Sequence, residues 1–341
     1  MHGCAQEWVP GHAVARSVPR SDWARQPLSA SGGSPRICVL LNPGSGGGQQ
    51  ISAVRALVAD RPMIELRPCA DPARMTDMAA AAASEGFEII AAAGGDGSVG
   101  AVAAGLVGSG TAARLGVVPI GTGNDFARGL GLPLEVLSAV ENLTSDGVRT
   151  VDVIRCRSPQ MPGAERLSLN AVVGGLGGRI SDSMTPKMSR RWGRFAYLRA
   201  GLSDLITGSP LPVDLTIDGH RRSLDCLMLV LANTRFAGGA IPFAPGADPS
   251  DGRVDVVAIP GMPRPALIRT AIRVLRGRHD GTRGLIMRSG RSIQIAAGPS
   301  FWFNLDGETW VAGEARFDVL PGAVDVVVPS LPTRGQLSDP P

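Results

Sequence analysis

Lysine is almost missing from this chain: of 34 basic side chains only Lys187 is a lysine, and the rest are arginines. A P-loop nucleotide site needs a lysine inside its glycine loop, and a protein-kinase fold needs one on its third strand. Lys187 follows Ser183-Met184-Thr185-Pro186 and occupies neither context, so both classes are excluded. Any phosphate chemistry must rely on backbone N–H groups, arginines and a metal ion. Aromatic residues are also scarce, at 4%, while glycines number 45 and prolines 27. That balance favours a turn-rich α/β architecture over a helical bundle. No run approaches the roughly 18 to 20 apolar residues that span a bilayer. The first 35 residues lack an apolar signal core and read as a disordered extension, and residues after about 331 read as a loose tail. The expectation is a cytoplasmic protein. Cys4, Cys38, Cys69, Cys156 and Cys226 lie far apart with no C-x-x-C pair, and the four histidines show no metal spacing. Buried structural thiols are expected, with no zinc site or disulfide framework.

What is present is alternation. Apolar runs at 36–41, 63–66, 87–93 and 114–120 read as strands, and helices are expected at about 49–60 and from Asp71-Pro72 to Gly86. Strands alternating with helices imply a parallel sheet covered on both faces, with its site beyond the carboxyl ends of the strands. Three glycine-rich loops fall at those ends, at 44–48, 94–97 and 121–123. After "TVDVIRC" (150–156) short β-like segments dominate, separated by turn signals such as Asp218-Gly219, Asp306-Gly307 and Pro321-Gly322. A second, largely antiparallel region with helices near 188–206 and 264–276 is expected.

Gly95-Asp96-Gly97-Ser98-Val99-Gly100 matches the dinucleotide fingerprint G-x-G-x-x-G, but it follows the third strand rather than the first. No acid for a ribose ends the next strand, and Asp96 would set a carboxylate against a pyrophosphate. An NAD-dependent oxidoreductase is therefore the weaker reading of this stretch. With "NPGSGGG" and "GTGND", the three loops offer closely approachable N–H groups, the hydroxyls of Ser45, Ser98 and Thr122, and Asp96 as a magnesium contact.

Four co-linear stretches, Asn42 to Gly46, Gly94 to Ser98, Pro119 to Ala127 and "FNLDGE" (303–308), resemble the catalytic domain of diacylglycerol kinases and their bacterial lipid-kinase and sphingosine-kinase relatives. The resemblance runs from about 36 to 329. It implies that ATP is held by Asn42, Pro43, Gly44, Ser45 and Gly46, by Gly95, Asp96, Gly97, Ser98, Val99, Gly100 and Ala101, and by Thr122 with Asn124. It makes Glu308 the proton acceptor, places Asp306 in the same catalytic motif, and makes Asp152 the assisting acid. It implies an α/β fold of two parts with ATP in the cleft between them. One is a parallel-sheet nucleotide-binding domain at 36–155 plus a returning strand at about 316–329. The other is a mostly antiparallel, lipid-substrate β domain at 156–315. In bacterial relatives the counterpart of Asp251, with the carbonyls of Asp248 and Arg253, holds a structural magnesium ion; read without the family, Asp251-Gly252 is a hairpin turn. Two positions depart from the family pattern: Ser98 replaces a threonine, and Cys69 stands nearest to where a nucleotide-touching threonine would be.

A lipid hydroxyl is a poor nucleophile near neutral pH, and a fixed carboxylate such as Glu308 can take its proton as the phosphoryl group transfers. Two arginine-rich stretches, 187–202 and 264–291, interleave basic with apolar or aromatic residues. They suit an anionic membrane surface or, alternatively, form solvated faces packed by their stems; no nucleic-acid module is present. The expectation is an ATP- and magnesium-dependent kinase for a membrane lipid, diacylglycerol or a sphingoid base, associated peripherally with the membrane. A soluble-substrate kinase such as an NAD kinase and a catalytically silent lipid-binding protein are the rivals, and a homodimer is left open.

Overall fold

The computed structural model describes residues 34–161, 163, 165–175, 208–279, 284–298, 301–305 and 308–330. The expected N-terminal extension, the helix near 188–206 with its basic stretch, and the C-terminal tail lie outside the described residues. The chain opens with β1 (Ile37–Leu41), α1 (Gly48–Ala59), β2 (Ile64–Pro68), α2 (Pro72–Ser84), β3 (Ile89–Gly94), α3 (Asp96–Ser109) and β4 (Arg114–Pro119). The four strands run parallel in the order β2-β1-β3-β4. Along β3, Ile89, Ala91 and Ala93 enter one apolar cluster with Val54 and Val58 of α1, while Ile90 and Ala92 enter another with Met75 of α2 and Val102 of α3. Strands buried on both faces need apolar residues at every position, which is why β1 and β3 read as continuous hydrophobic runs. Asp71 caps α2 as the Asp-Pro pair predicts, its carboxylate accepting the Ala73 N–H at 2.9 Å.

The alanine-rich composition of α2 and α3 has a packing cause. A Cβ built on Gly105 of α3 would stand 2.3 Å from the Thr76 carbonyl oxygen and 2.7 Å from the Ala79 Cβ. The two helices thus meet nearly backbone to backbone.

Two short helices follow, α4 (Asp125–Leu130) and α5 (Val136–Asn142), then β5 (Gly147–Arg157), β6 (Arg166–Ser168) and β7 (Ala171–Gly175). The next hairpin, β8 (Leu211–Ile217) and β9 (His220–Ala232), turns at Asp218-Gly219, both left-handed at φ 47° and 86°, as a two-residue hairpin requires. After it come β10 (Val254–Pro260), α6 (Arg264–Leu275), β11 (Ile286–Gly290), β12 (Ser292–Ala297), β13 (Trp302–Leu305), β14 (Glu308–Val311) and β15 (Glu314–Val328). Pairing in this half is antiparallel, and among the described residues all 15 strands join one sheet. Its main path runs β14-β13-β7-β9-β8-β12-β15-β4-β3-β1-β2. β15 pairs with β12 and β5, and at Val326 runs parallel to β4 at Leu115.

Pro321-Gly322, expected to separate two strands, instead lies inside β15, where the register against β5 shifts between Leu320 and Val324. A bulge bends the strand and lets β5 stay paired on either side of it. β11, α4 and α5 are elements the sequence pattern did not announce. Among the described residues no helix is long and apolar enough to cross a membrane.

Replacing Gly105 by valine is expected to lower stability by about 2–3 kcal/mol through overpacking at the α2–α3 contact. Urea denaturation monitored by circular dichroism measures it, with the loop geometry at the sheet edge unchanged.

Candidate active site

Because β1, β3 and β4 are parallel, the segments that follow them emerge at one edge of the sheet. Asn42 donates its N–H to the Ala93 carbonyl at 2.9 Å, and Ile120 donates to the Gly94 carbonyl at 3.0 Å. The loops are then close enough to exclude side chains. Gly46 is left-handed at φ 70°, and a Cβ there would lie 2.4 Å from the Ile120 carbonyl oxygen. A Cβ on Gly121 would lie 2.4 Å from the Gly95 Cα. Asn42 fixes the arrangement with both ends of its amide: Oδ1 accepts the Gly44 N–H at 2.8 Å, and Nδ2 donates to Ser98 Oγ at 3.0 Å. The serine that replaces the family's threonine is buried and serves as this loop-to-loop tie.

Asp96 is half-buried at the first turn of α3, and its Oδ1 accepts the Phe126 N–H at 2.9 Å. It thereby satisfies an orphan donor at the start of α4, which its own N-cap residue, the left-handed Asn124 (φ 51°), leaves open. Asn124 turns its amide inward: Nδ2 donates to the Gly121 carbonyl at 2.9 Å, while the buried Oδ1 has no hydrogen-bond partner among the described residues. An orphan acceptor beside a cradle that any Cβ would fill fits a ligand carrying donors and phosphate oxygens.

Asp125, the next residue, is a component the sequence reading missed. Its buried carboxylate accepts the N–H groups of Gly239 at 2.8 Å and Ala240 at 2.5 Å. Gly238, Gly239 and Ala240 are successively left-handed, at φ 66°, 91° and 70°, and the amides of Gly239 and Ala240 turn towards this common acceptor. Burial, reinforced by the nearby charge of Asp96, raises the Asp125 pKa. Asn-Asp at a helix start reads as a cap, and only the run Gly238-Gly239-Ala240 could have hinted at a distant partner.

Asp152 lies on β5, buried at 1% exposure. Its Oδ1 accepts the Gly322 N–H and its Oδ2 the Gly252 N–H, each at 2.7 Å. The Pro321-Gly322 bulge and the 248–252 turn thus both close on one carboxylate. Burial pushes its pKa up to about 6, opposed by the two N–H bonds and reinforced by Asp251 and Asp248. A buried amide network continues from its backbone: Asn233 Nδ2 donates to the carbonyls of Asp152 and Leu169 at 2.8 Å each, and Thr234 bonds Asn170. Thr234 also abuts α4, where a Cβ on Gly129 would come 2.7 Å from its side chain.

Glu308 begins β14, paired with Leu305, which pairs with Val172, which pairs with Leu231. Its backbone is therefore two inter-strand steps, about 10 Å, from Val172, two residues beyond Asn170. The side chain of Glu308 and the whole of Asp306 lie outside the described residues.

Gly44, Gly46 and Thr122 are exposed, and Ser45, Gly95, Asp96 and Gly97 half-buried, around the loop junction, while Pro43 is exposed beside them. Val99, Gly100 and Ala101 are placed differently. They have already turned into α3; the Val99 side chain is in the core and its N–H bonds the Gly95 carbonyl, and the Ala101 carbonyl accepts from Thr76. Cys69 is also in the core, its thiol directed to the Asp71 carbonyl at 3.3 Å. Cys38, Cys156 and Cys226 are buried with pKa values pushed up to about 11, 12 and 12, so they are inert thiols. At the 248–253 turn, Asp248 pairs with Arg149 at 2.7 Å and Asp251 accepts its own turn's Arg253 N–H at 2.9 Å. The Arg253 side chain points away, to Asp218 and Ser289, leaving only its carbonyl for a cation. No group of three or more His, Cys, Asp or Glu side chains forms a metal cluster among the described residues.

Glycine loops at the ends of parallel strands, tied to the antiparallel half through the buried Asp125 and lacking a P-loop lysine, define a nucleotide-dependent phosphotransferase class. The chain matches the diacylglycerol kinase catalytic domain over residues 36–156 and the YegS C-terminal NAD kinase beta sandwich-like domain over 170–328. It is 31% identical over 212 residues to a protein of Pseudomonas putida strain KT2440 named "Probable lipid kinase YegS-like", covering 62% of this chain and 67% of that one. To the diacylglycerol kinase of Bacillus subtilis strain 168 it is 30% identical over 211 residues, with the same two coverages of 62% and 67%. The crystal structure of a diacylglycerol kinase from Bacillus anthracis strain Sterne aligns with a TM-score of 0.65 at 20% identity, over 86% of this chain and 97% of that one. A second chain from the same strain aligns at 0.74 and 20%, over 89% and 98%. The chain belongs to the diacylglycerol kinase catalytic-domain family and is a phosphotransferase of the lipid-kinase type. Membership in a kinase family implies ATP use.

Asp152→Ala would leave two buried N–H groups unsatisfied, and a loss of about 3 kcal/mol is expected in chemical denaturation. The raised pKa fixes a sign as well: folding favours protonated Asp152, so its contribution is complete below about pH 4 and lost as pH rises through about 6. The stability difference between wild type and Asp152→Asn should therefore move against the wild type between pH 4 and 7.

Proposed function

We propose that this protein transfers the γ-phosphoryl group of ATP, with magnesium, to a hydroxyl of diacylglycerol or a closely related membrane lipid. The observation that carries the reading is the convergence of three glycine-rich loops at one sheet edge, with the orphan Asn124 Oδ1 beside them. Phosphates would lie against the backbone N–H groups of Gly46, of 95–97 and of 122–123, since those of Gly44, Ser45 and Gly121 are already donated within the loops, the positive end of α3 adding to their hold. Magnesium, when bound, offsets the charge of the transferring phosphoryl group. Asp96 keeps one oxygen on Phe126 and has the other for that role. The Asp251 turn, with the carbonyls of Asp248 and Arg253, is the candidate for a structural cation, since Asp251 is already pushed up by burial and by Asp248.

Glu308 would accept the proton of the lipid hydroxyl. Asp152, with a pKa of about 6, is largely ionised at neutral pH and supports that step from β5. Each of its oxygens already accepts one amide N–H, so it acts as a fixed charge rather than a mobile side chain.

The test is phosphorylation of diacylglycerol by labelled ATP, set beside sphingosine and NAD as acceptors. Glu308→Gln is expected to lower kcat by at least about 100-fold while the thermal unfolding temperature is unchanged. Undiminished turnover in that variant, or phosphorylation of NAD alone, overturns the reading.

A further inference from the structure

Among the described residues five large apolar side chains are exposed, and three of them lie on α6: Ile268 at 43%, Ile272 at 42% and Leu275 at 37%. Their i, i+4, i+7 spacing places them in one stripe along the helix. The adjoining face of α6, about 100° round the helix, is accounted for, since Leu267, Ala271 and Val274 are buried with Val230, Val257 and Ile259 of β9 and β10. The stripe is thus surplus to the core. Its margins are basic: Arg264, Arg269 and Arg276 are exposed, and no acid occurs between Arg264 and His279.

The position of the helix gives the stripe a context. Gly277, at its carboxyl end, packs beside Pro242 and Pro245, to which an added Cβ would stand 3.5 and 3.8 Å away. That loop begins at the Gly239 and Ala240 amides that hold Asp125, next to the glycine loops. One continuous segment therefore links the exposed stripe to the candidate active site.

We infer that the outer face of α6 is an interfacial docking surface for an anionic lipid bilayer. Ile268, Ile272 and Leu275 enter the boundary between headgroups and acyl chains, and Arg269 and Arg276 lie along the headgroup phosphates. A strip of three side chains is too small for a stable protein interface, which takes roughly 800 Å² from each partner. Shallow insertion needs no such area, and an arginine rim without acids complements an anionic surface. The inference rests on the lipid-kinase reading, since a bilayer-borne acceptor is what makes docking useful.

The experiment uses the full chain in co-sedimentation with vesicles of phosphatidylcholine alone and of phosphatidylcholine mixed with phosphatidylglycerol. Wild type is expected to bind the mixed vesicles, less so at high salt, and to bind phosphatidylcholine at least tenfold more weakly. Arg269→Gln with Arg276→Gln should weaken binding about fivefold per arginine, and Ile268→Glu with Ile272→Glu should abolish it. Because these positions are exposed, the melting temperature and the turnover of a short-chain diacylglycerol presented as dissolved monomer should match wild type, while turnover of vesicle-borne diacylglycerol falls with binding. Wild-type sedimentation by both double variants overturns the inference and leaves the kinase reading intact. So does equal binding of wild type to the two vesicle types, or a change in oligomeric state by ultracentrifugation without loss of vesicle binding. A wild type that binds mixed vesicles through α6 but phosphorylates no lipid refutes the kinase reading and leaves the docking surface standing.

Discussion

A single buried carboxylate holds together three parts of this chain that are far apart in sequence. Asp152 receives amide protons from Gly252 and from Gly322 while its own backbone is held by Asn233 and Pro249. Burying a charge is costly unless its oxygens are bonded, and here backbone N–H groups, which cannot rotate away, do the bonding. The β15 bulge and the 248–252 turn are therefore mutually dependent. Asp125 repeats the device at the glycine loops, where Gly239 and Ala240 converge on it. Asp125 links the helix that follows the parallel strands to the antiparallel half, and Asp152 locks β5, the 248–252 turn and the β15 bulge within the antiparallel half.

The near-absence of lysine becomes intelligible beside these loops. A lysine supplies phosphate affinity as a flexible point charge, and without it the backbone must come close on several sides at once. Gly46 against Ile120 and Gly121 against Gly95 show how close the chain has come. Asn42 and Ser98, two of the motif's ligand candidates, also bond each other and so keep the loops in place. Precision of placement substitutes for charge.

Much of this was legible in the sequence because it depends on neighbours. β3 announced itself as a buried parallel strand, Asp71-Pro72 as a helix start, and Asp218-Gly219 as a hairpin turn, each through local sterics or a local cap. The motif series also identified where the loops would meet. What was not legible depends on distant partners. Pro321-Gly322 carries a turn signal that pairing with β5 overrides. Asp125 finds its donors 114 residues away, so nothing beside it in sequence marks it out. Val99 to Ala101 continue a pattern of letters after the chain has become a helix, and the side chains of Val99 and Ala101 pack inward. β11 has no alternating signal because Ile286, Met287 and Arg288 are all half-buried rather than divided between two faces.

The final strand has a consequence for how this molecule is made. β4 has β3 on one side and meets β15 on the other only at the Leu115–Val326 pair. During synthesis at about 5–20 residues per second, the interval between the appearance of those two strands is roughly 10 to 40 s. For that time the nascent parallel sheet carries an unsealed border, a template for wrong pairing. The newborn protein is most vulnerable to aggregation not while its glycine loops form but in the long wait for the segment that closes their sheet.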